Sequence, residues 1–178
     1  MPSLKLSYAL PALAVGAGAL VFGSSAALAS PGNTGFGFNA PDVSGGSGSV
    51  FLTGGGAFDS SSGFAHSAGG FKCTSMVTSG PLTGCLAGQG VRWDTAALLR
   101  STPFKCTATD PMGVKTATTS SDTVALRGDF YRAGDGNIES FTANMIVSSH
   151  DIAPDIPGVQ NVWVQGVGCG TAVAHFSH

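Results

Sequence analysis

The chain has 178 residues, 43% of them apolar and only 10% charged, with 8 Lys and Arg against 10 Asp and Glu. That mildly acidic balance argues against nucleic acid or anionic membrane as the partner, because both are held by clustered Lys and Arg. No Lys or Arg occurs between Lys5 and Lys72, so solubility rests on Ser, Thr, Asn and Gly.

Residues 1–29 read as a secretory signal peptide. Lys5 supplies a weakly positive start, an apolar run extends from Ala9 to Phe22, and Ala27-Leu28-Ala29 meets the small-x-small rule of a cleavage site. The alternative is an uncleaved anchor from Ala9 to Ala29, about the length a bilayer needs. Interrupting glycines and prolines, and the lack of a following basic cluster, favour cleavage. No cysteine near the site offers a lipid anchor, and no later stretch is apolar enough to cross a membrane. Cleavage after Ala29 leaves 149 residues (178 − 29), enough for one domain over 30–178 that buries about 68–70% of its unfolded surface.

Residues 31–70 hold 12 glycines and five phenylalanines, Phe36, Phe38, Phe51, Phe58 and Phe64. A flexible linker would not carry phenylalanines so regularly. The apolar pieces Ser49–Thr53 and Ala57-Phe58 therefore read as short strands separated by a turn at Gly54-Gly55-Gly56, after a flexible start over 30–48. The tetrapeptide Phe-Lys-Cys-Thr occurs twice, at 71–74 and 104–107, each time with period two: Phe and Cys on one face, Lys and Thr on the other. Asp94–Arg100 reads as the one short helix, capped by Asp94 and ended by Pro103.

The clearest unit is a hairpin. Thr123–Tyr131 alternates Val124, Leu126 and Phe130 against Arg127, Asp129 and Tyr131; Ile138–Val147 alternates Phe141, Ala143, Met145 and Val147 against Ser140, Thr142 and Asn144. Asp135-Gly136 supplies the tight turn between them. Two further strands, Asn161–Val167 and Thr171–Phe176, flank a turn at Gly168-Cys169-Gly170. The expected fold is all-β: a single-domain antiparallel sandwich or barrel of about eight strands with one short helix.

Cys73, Cys85, Cys106 and Cys169 are separated by 12, 21 and 63 residues, without the close pairs that zinc requires. An even count in an exported chain reads as disulfides. The turn at Thr78–Pro81 folds Cys85 back towards Cys73, which predicts Cys73–Cys85 and Cys106–Cys169. The two bridges would close loops of 13 and 64 residues, contributing about 3 and about 4 kcal/mol. Outside the tetrapeptides the two segments share little, so the repetition marks a disulfide framework and not a repeat architecture.

The loop 150–158 is the leading candidate site: His150, Asp151 and Asp155 fall within six residues, stiffened by Pro154 and Pro157. The ordinary reading is that Asp151 and Asp155 fix turns while Ile152 and Ile156 anchor the loop. Trp163 is either a packed anchor or a ligand platform, depending on which strand face is core. Asp135–Glu139 lacks the spacing of a calcium loop, and His175 and His178 would face opposite sides of a strand. No serine sits in G-x-S-x-G, and paired cysteines are poor nucleophiles. No metal or other cofactor is expected. The leading expectation is an exported β domain acting by binding, or as a structural component of the cell envelope or extracellular space. The alternatives are a secreted hydrolase centred on His150, Asp151 and Asp155, and a barrel carrying a small apolar ligand among its phenylalanines.

Overall fold

The computed structural model describes residues 32–134 and 138–178. These form ten strands: β1 (Thr34–Ser44), β2 (Ser49–Asp59), β3 (Phe64–Cys73), β4 (Arg92–Leu99), β5 (Ser101–Phe104), β6 (Lys115–Thr118), β7 (Thr123–Tyr131), β8 (Phe141–Ser148), β9 (Val162–Val164) and β10 (Gly168–Ser177). Eight close into an antiparallel barrel in the order β1-β10-β9-β8-β7-β4-β3-β2, and β5 and β6 form a separate two-stranded ribbon. Closure decides between sandwich and barrel and leaves the barrel without an open sheet edge.

The alternation in the sequence follows the barrel wall. Val124, Leu126, Phe130, Ala143, Met145 and Val147 all point into one core, joined there by Phe36, Phe38, Phe58, Phe71 and Trp93. An eight-stranded barrel is just wide enough for its own side chains. Here rings meet across it: Phe71 lies edge-on to Phe130 at 4.9 Å, and Phe38 lies 6.2 Å from Trp93. The Trp93 indole N–H donates to the Thr53 carbonyl at 2.9 Å, so the largest interior side chain is also satisfied. Apolar residues inside and polar ones outside is the reverse of the pattern in membrane-spanning barrels.

Four expectations are corrected. Asp94–Arg100 is no helix: residues 92–99 are strand β4, with Trp93 opposite Phe130 and Leu98 opposite Leu126. A helix of under two turns is not stable by itself, and a strand here joins β3 to β7 and closes the barrel. Asp94 pairs with Arg92 instead of capping a helix. Gly54-Gly55-Gly56 is not a turn but the middle of β2, where neighbouring backbones come too close for side chains; a Cβ on Gly56 would meet the His66 carbonyl at 2.2 Å. The start expected to be flexible over 30–48 contains β1, whose bulge between Asn39 and Asp42 accommodates Pro41, a residue without an N–H. The turn expected at 168–170 lies at Gln165–Val167, with Gly166 at φ +81°, and β10 begins at Gly168. The proposed signal peptide and the Asp135-Gly136 turn lie outside the described residues.

Both disulfides form as the spacing suggested, Cys73–Cys85 and Cys106–Cys169. The two Phe-Lys-Cys-Thr segments bury Phe and Cys as expected, but into different places. Phe71 and Cys73 enter the barrel, whereas Phe104 and Cys106 belong to a second cluster with Ala117, Ile146, Ala153, Trp163 and Cys169. This second core lies outside the barrel wall, beneath the β5–β6 ribbon. It explains why Ile146 and Trp163, on the outward face of β8 and β9, are buried.

Candidate functional site

The loop 149–161 connects β8 to β9 and packs over the second core through Ile152 and Ile156. Its three predicted site residues do not converge. Asp151 Oδ1 accepts the backbone N–H groups of Ala153 at 2.9 Å and Gln160 at 3.2 Å, tying the two ends of the loop together. That is the turn-fixing role of a short acidic side chain. His150 faces the opposite way, towards Asp122 and Ser148. Asp155 faces the ribbon.

The group around His150 contains the residue types of a serine hydrolase, but not their geometry. Ser148 Oγ lies 3.1 Å from His150 Nδ1, and Asp122 Oδ2 lies 3.4 Å from the same nitrogen. A proton relay needs serine on one ring nitrogen and carboxylate on the other. Ser148 is also fully buried, with its hydroxyl 2.9 Å from Thr123 Oγ1, so a substrate has no path to it. The Ser120 hydroxyl holds Asp122 below the usual carboxylate range; burial opposes this and the His150 charge assists it.

Asp155 belongs to a three-residue cluster that local sequence does not announce. Lys115, at the start of β6 and opposite Phe104, pairs with Asp110 and lies 3.0 Å from Asp155 Oδ2. The Asp110 side chain is wholly buried and that of Lys115 is 14% exposed. Asp110 also accepts N–H groups from Cys106 at 3.2 Å and Met112 at 3.3 Å. The Lys115 hydrogen bond holds the Asp110 carboxyl below its usual range, against burial. Burial disfavours the Lys115 charge, but the bonds to Asp110 and Asp155 outweigh it and raise its pKa. Both Asp155 oxygens are buried without a hydrogen-bond partner, Oδ2 meeting Lys115 only as an ion pair.

Trp163 is 4% exposed; its ring packs 6.0 Å from Phe104 and its indole N–H donates to the Lys105 carbonyl at 2.8 Å. Of the two alternatives, the packed anchor describes it. It also borders a surface groove of about 570 Å³ between the ribbon and the β9–β10 turn, shared with Phe104, Val114 and Val167. A second groove of about 420 Å³ lies between Ser60–Gly63 and Leu98–Arg100. His150, Asp151 and Asp155 line neither groove. Among the described residues no three His, Cys, Asp or Glu side chains are placed to share a metal ion. Comparison with protein-family models, with curated proteins and with solved structures returned no match to the chain.

Proposed function

We propose that this chain is exported and acts through its outer surface, as a binding or structural domain of the cell envelope or extracellular space. The observation that carries this reading is the pair of disulfides, with no free cysteine among the described residues. Such bonds persist in oxidising compartments and are reduced in the cytosol. The apolar run from Ala9 to Phe22, followed by the small-residue stretch ending in Ala27-Leu28-Ala29, agrees with that destination. A surface role is supported by a barrel interior occupied by its own rings, which argues against the carrier alternative. The hydrolase alternative is disfavoured by the single His150 nitrogen facing both Ser148 and Asp122. The groove beside the ribbon, about 570 Å³, falls within the size range of ligand sites and is the part of the surface we assign to a partner.

The test is to express the full chain in a bacterium with an export pathway and fractionate the cells. The expected product lies outside the cytoplasm, begins at Ser30 and carries no titratable thiol before reduction. A chain retained in the cytoplasm at full length with four free thiols would refute the proposal.

A further inference from the structure

We infer that Lys115 and Asp155 become joined by an intramolecular amide bond, with Asp110 as the catalytic residue that moves the protons. Three observations lead there. The Lys115 amine lies between two carboxyl groups, in bonding contact with Asp110 and 3.0 Å from Asp155 Oδ2, so that nucleophile, electrophile and proton carrier already touch. The two carboxyl groups differ in kind: Asp110 is held by two backbone N–H groups, whereas Asp155 has only its ion pair with Lys115, and neither of its buried oxygens has a hydrogen-bond partner. The surroundings are apolar, since Phe104 pairs with Lys115 across the ribbon and Ile156, the residue after Asp155, packs into the second core.

The reaction needs no oxidant or cofactor. Asp110 takes a proton from the Lys115 ammonium, and the freed lone pair attacks Asp155 Cγ. Asp110 returns the proton to an Asp155 oxygen, and a second Nζ proton follows by the same route. The Nζ–Cγ bond forms, the Cγ–O bond breaks, and one water leaves. An ammonium and a carboxylate thereby become a neutral amide, and Asp110 ends as it began.

The resting cluster shows why this relieves the fold. One cation between two anions leaves a net charge of −1 in a largely buried site, and desolvated ions are costly even when paired. After condensation the single remaining anion, Asp110, keeps its two backbone donors and gains the new amide N–H. The link would tie the ribbon to the loop 149–161 beside the Cys106–Cys169 bridge, since Asp110 accepts the Cys106 N–H. The proton starts on Lys115, so the bond forms slowly after folding and without an enzyme.

Peptide mapping decides it. The full chain is purified, denatured, reduced, alkylated and digested with trypsin, which cuts after Lys105, Lys115, Arg127 and Arg132. The expected product is 106–127, uncut at Lys115, joined to 133–178 and lighter than the two together by one water, about 18 Da. Asp135-Gly136 can also lose water as a succinimide, so fragmentation must place the link between Lys115 and Asp155. In Asp110→Asn the cut after Lys115 should return. Free 106–115 and 116–127 as the main products of the native protein would overturn the inference. A link from Lys115 to Asp110 would overturn the choice of Asp155, and a fully linked Asp110→Asn protein would overturn the role of Asp110.

Discussion

Replacing Trp163 with alanine should loosen the ribbon before it loosens the barrel. The indole fills the second core against Phe104 and donates to the Lys105 carbonyl, and the side chain is 4% exposed. Deleting a buried tryptophan typically costs about 3–5 kcal/mol, part of it for the cavity left behind. Trp163→Phe keeps most of the ring but not the donor, and should cost about 1 kcal/mol. Urea unfolding with disulfides intact measures both. Trp93 remains as a fluorescent reporter inside the barrel in either variant. Hydrogen exchange adds the location: because the second core lies outside the barrel wall, amides of 101–104 and 115–118 should lose protection first. A cost for Trp163→Ala below about 1 kcal/mol would mean that the ring is a surface platform and not a packed anchor of the second core.

Gly45→Ala should impair the Cys106–Cys169 disulfide, because its Cβ would lie 2.0 Å from the Cys106 carbonyl; thiol titration of the unreduced protein would detect the unpaired cysteines. Asn161 is buried and clasps Ala172 twice, donating to its carbonyl at 3.0 Å and accepting its N–H at 2.7 Å. Asn161→Ala leaves both backbone groups unpaired, and the urea midpoint should report a loss of about 2–4 kcal/mol. The Ser61 and Ser62 hydroxyls lower the pKa of half-buried Asp59 from 3.8 to about 2. A depressed carboxylate stabilises the fold above its unfolded pKa, so the Asp59 contribution is complete above about pH 4 and is lost as pH falls through about 2. In the Ser61→Ala, Ser62→Ala double variant its NMR titration midpoint should rise towards 3.8; an unchanged midpoint would show that the hydroxyls are not the cause.

Two of the corrected elements have a common physical origin. Asp94–Arg100 has helix-forming residues behind a capping Asp, yet the barrel needed an eighth wall strand and tertiary pairing overrode local preference. Gly54-Gly55-Gly56 looks like a turn because glycine usually marks one, but the same lack of a side chain lets β2 pass close to its neighbours. Of the candidate site, the turn-fixing function of Asp151 and the anchoring of the loop by Ile152 and Ile156 were readable from local sequence. The Lys115 cluster was not, since Asp155 stands 40 positions further along the chain and nothing near either residue points to the other.

Period-two patterning and short-range turns suffice for the β class, the alternation that fills one core and the Cys73–Cys85 pair, and pairing those two cysteines leaves Cys106 to Cys169. The tertiary structure alone decided that the sheet closes, and that one outer face is covered by a ribbon to make a second core. It also decided that the acidic loop is split between a turn, a surface contact of His150 with Asp122 and a buried lysine. Alternation tells which residues share a face. It does not tell what will lie against that face, because the cover comes from segments far away in the chain.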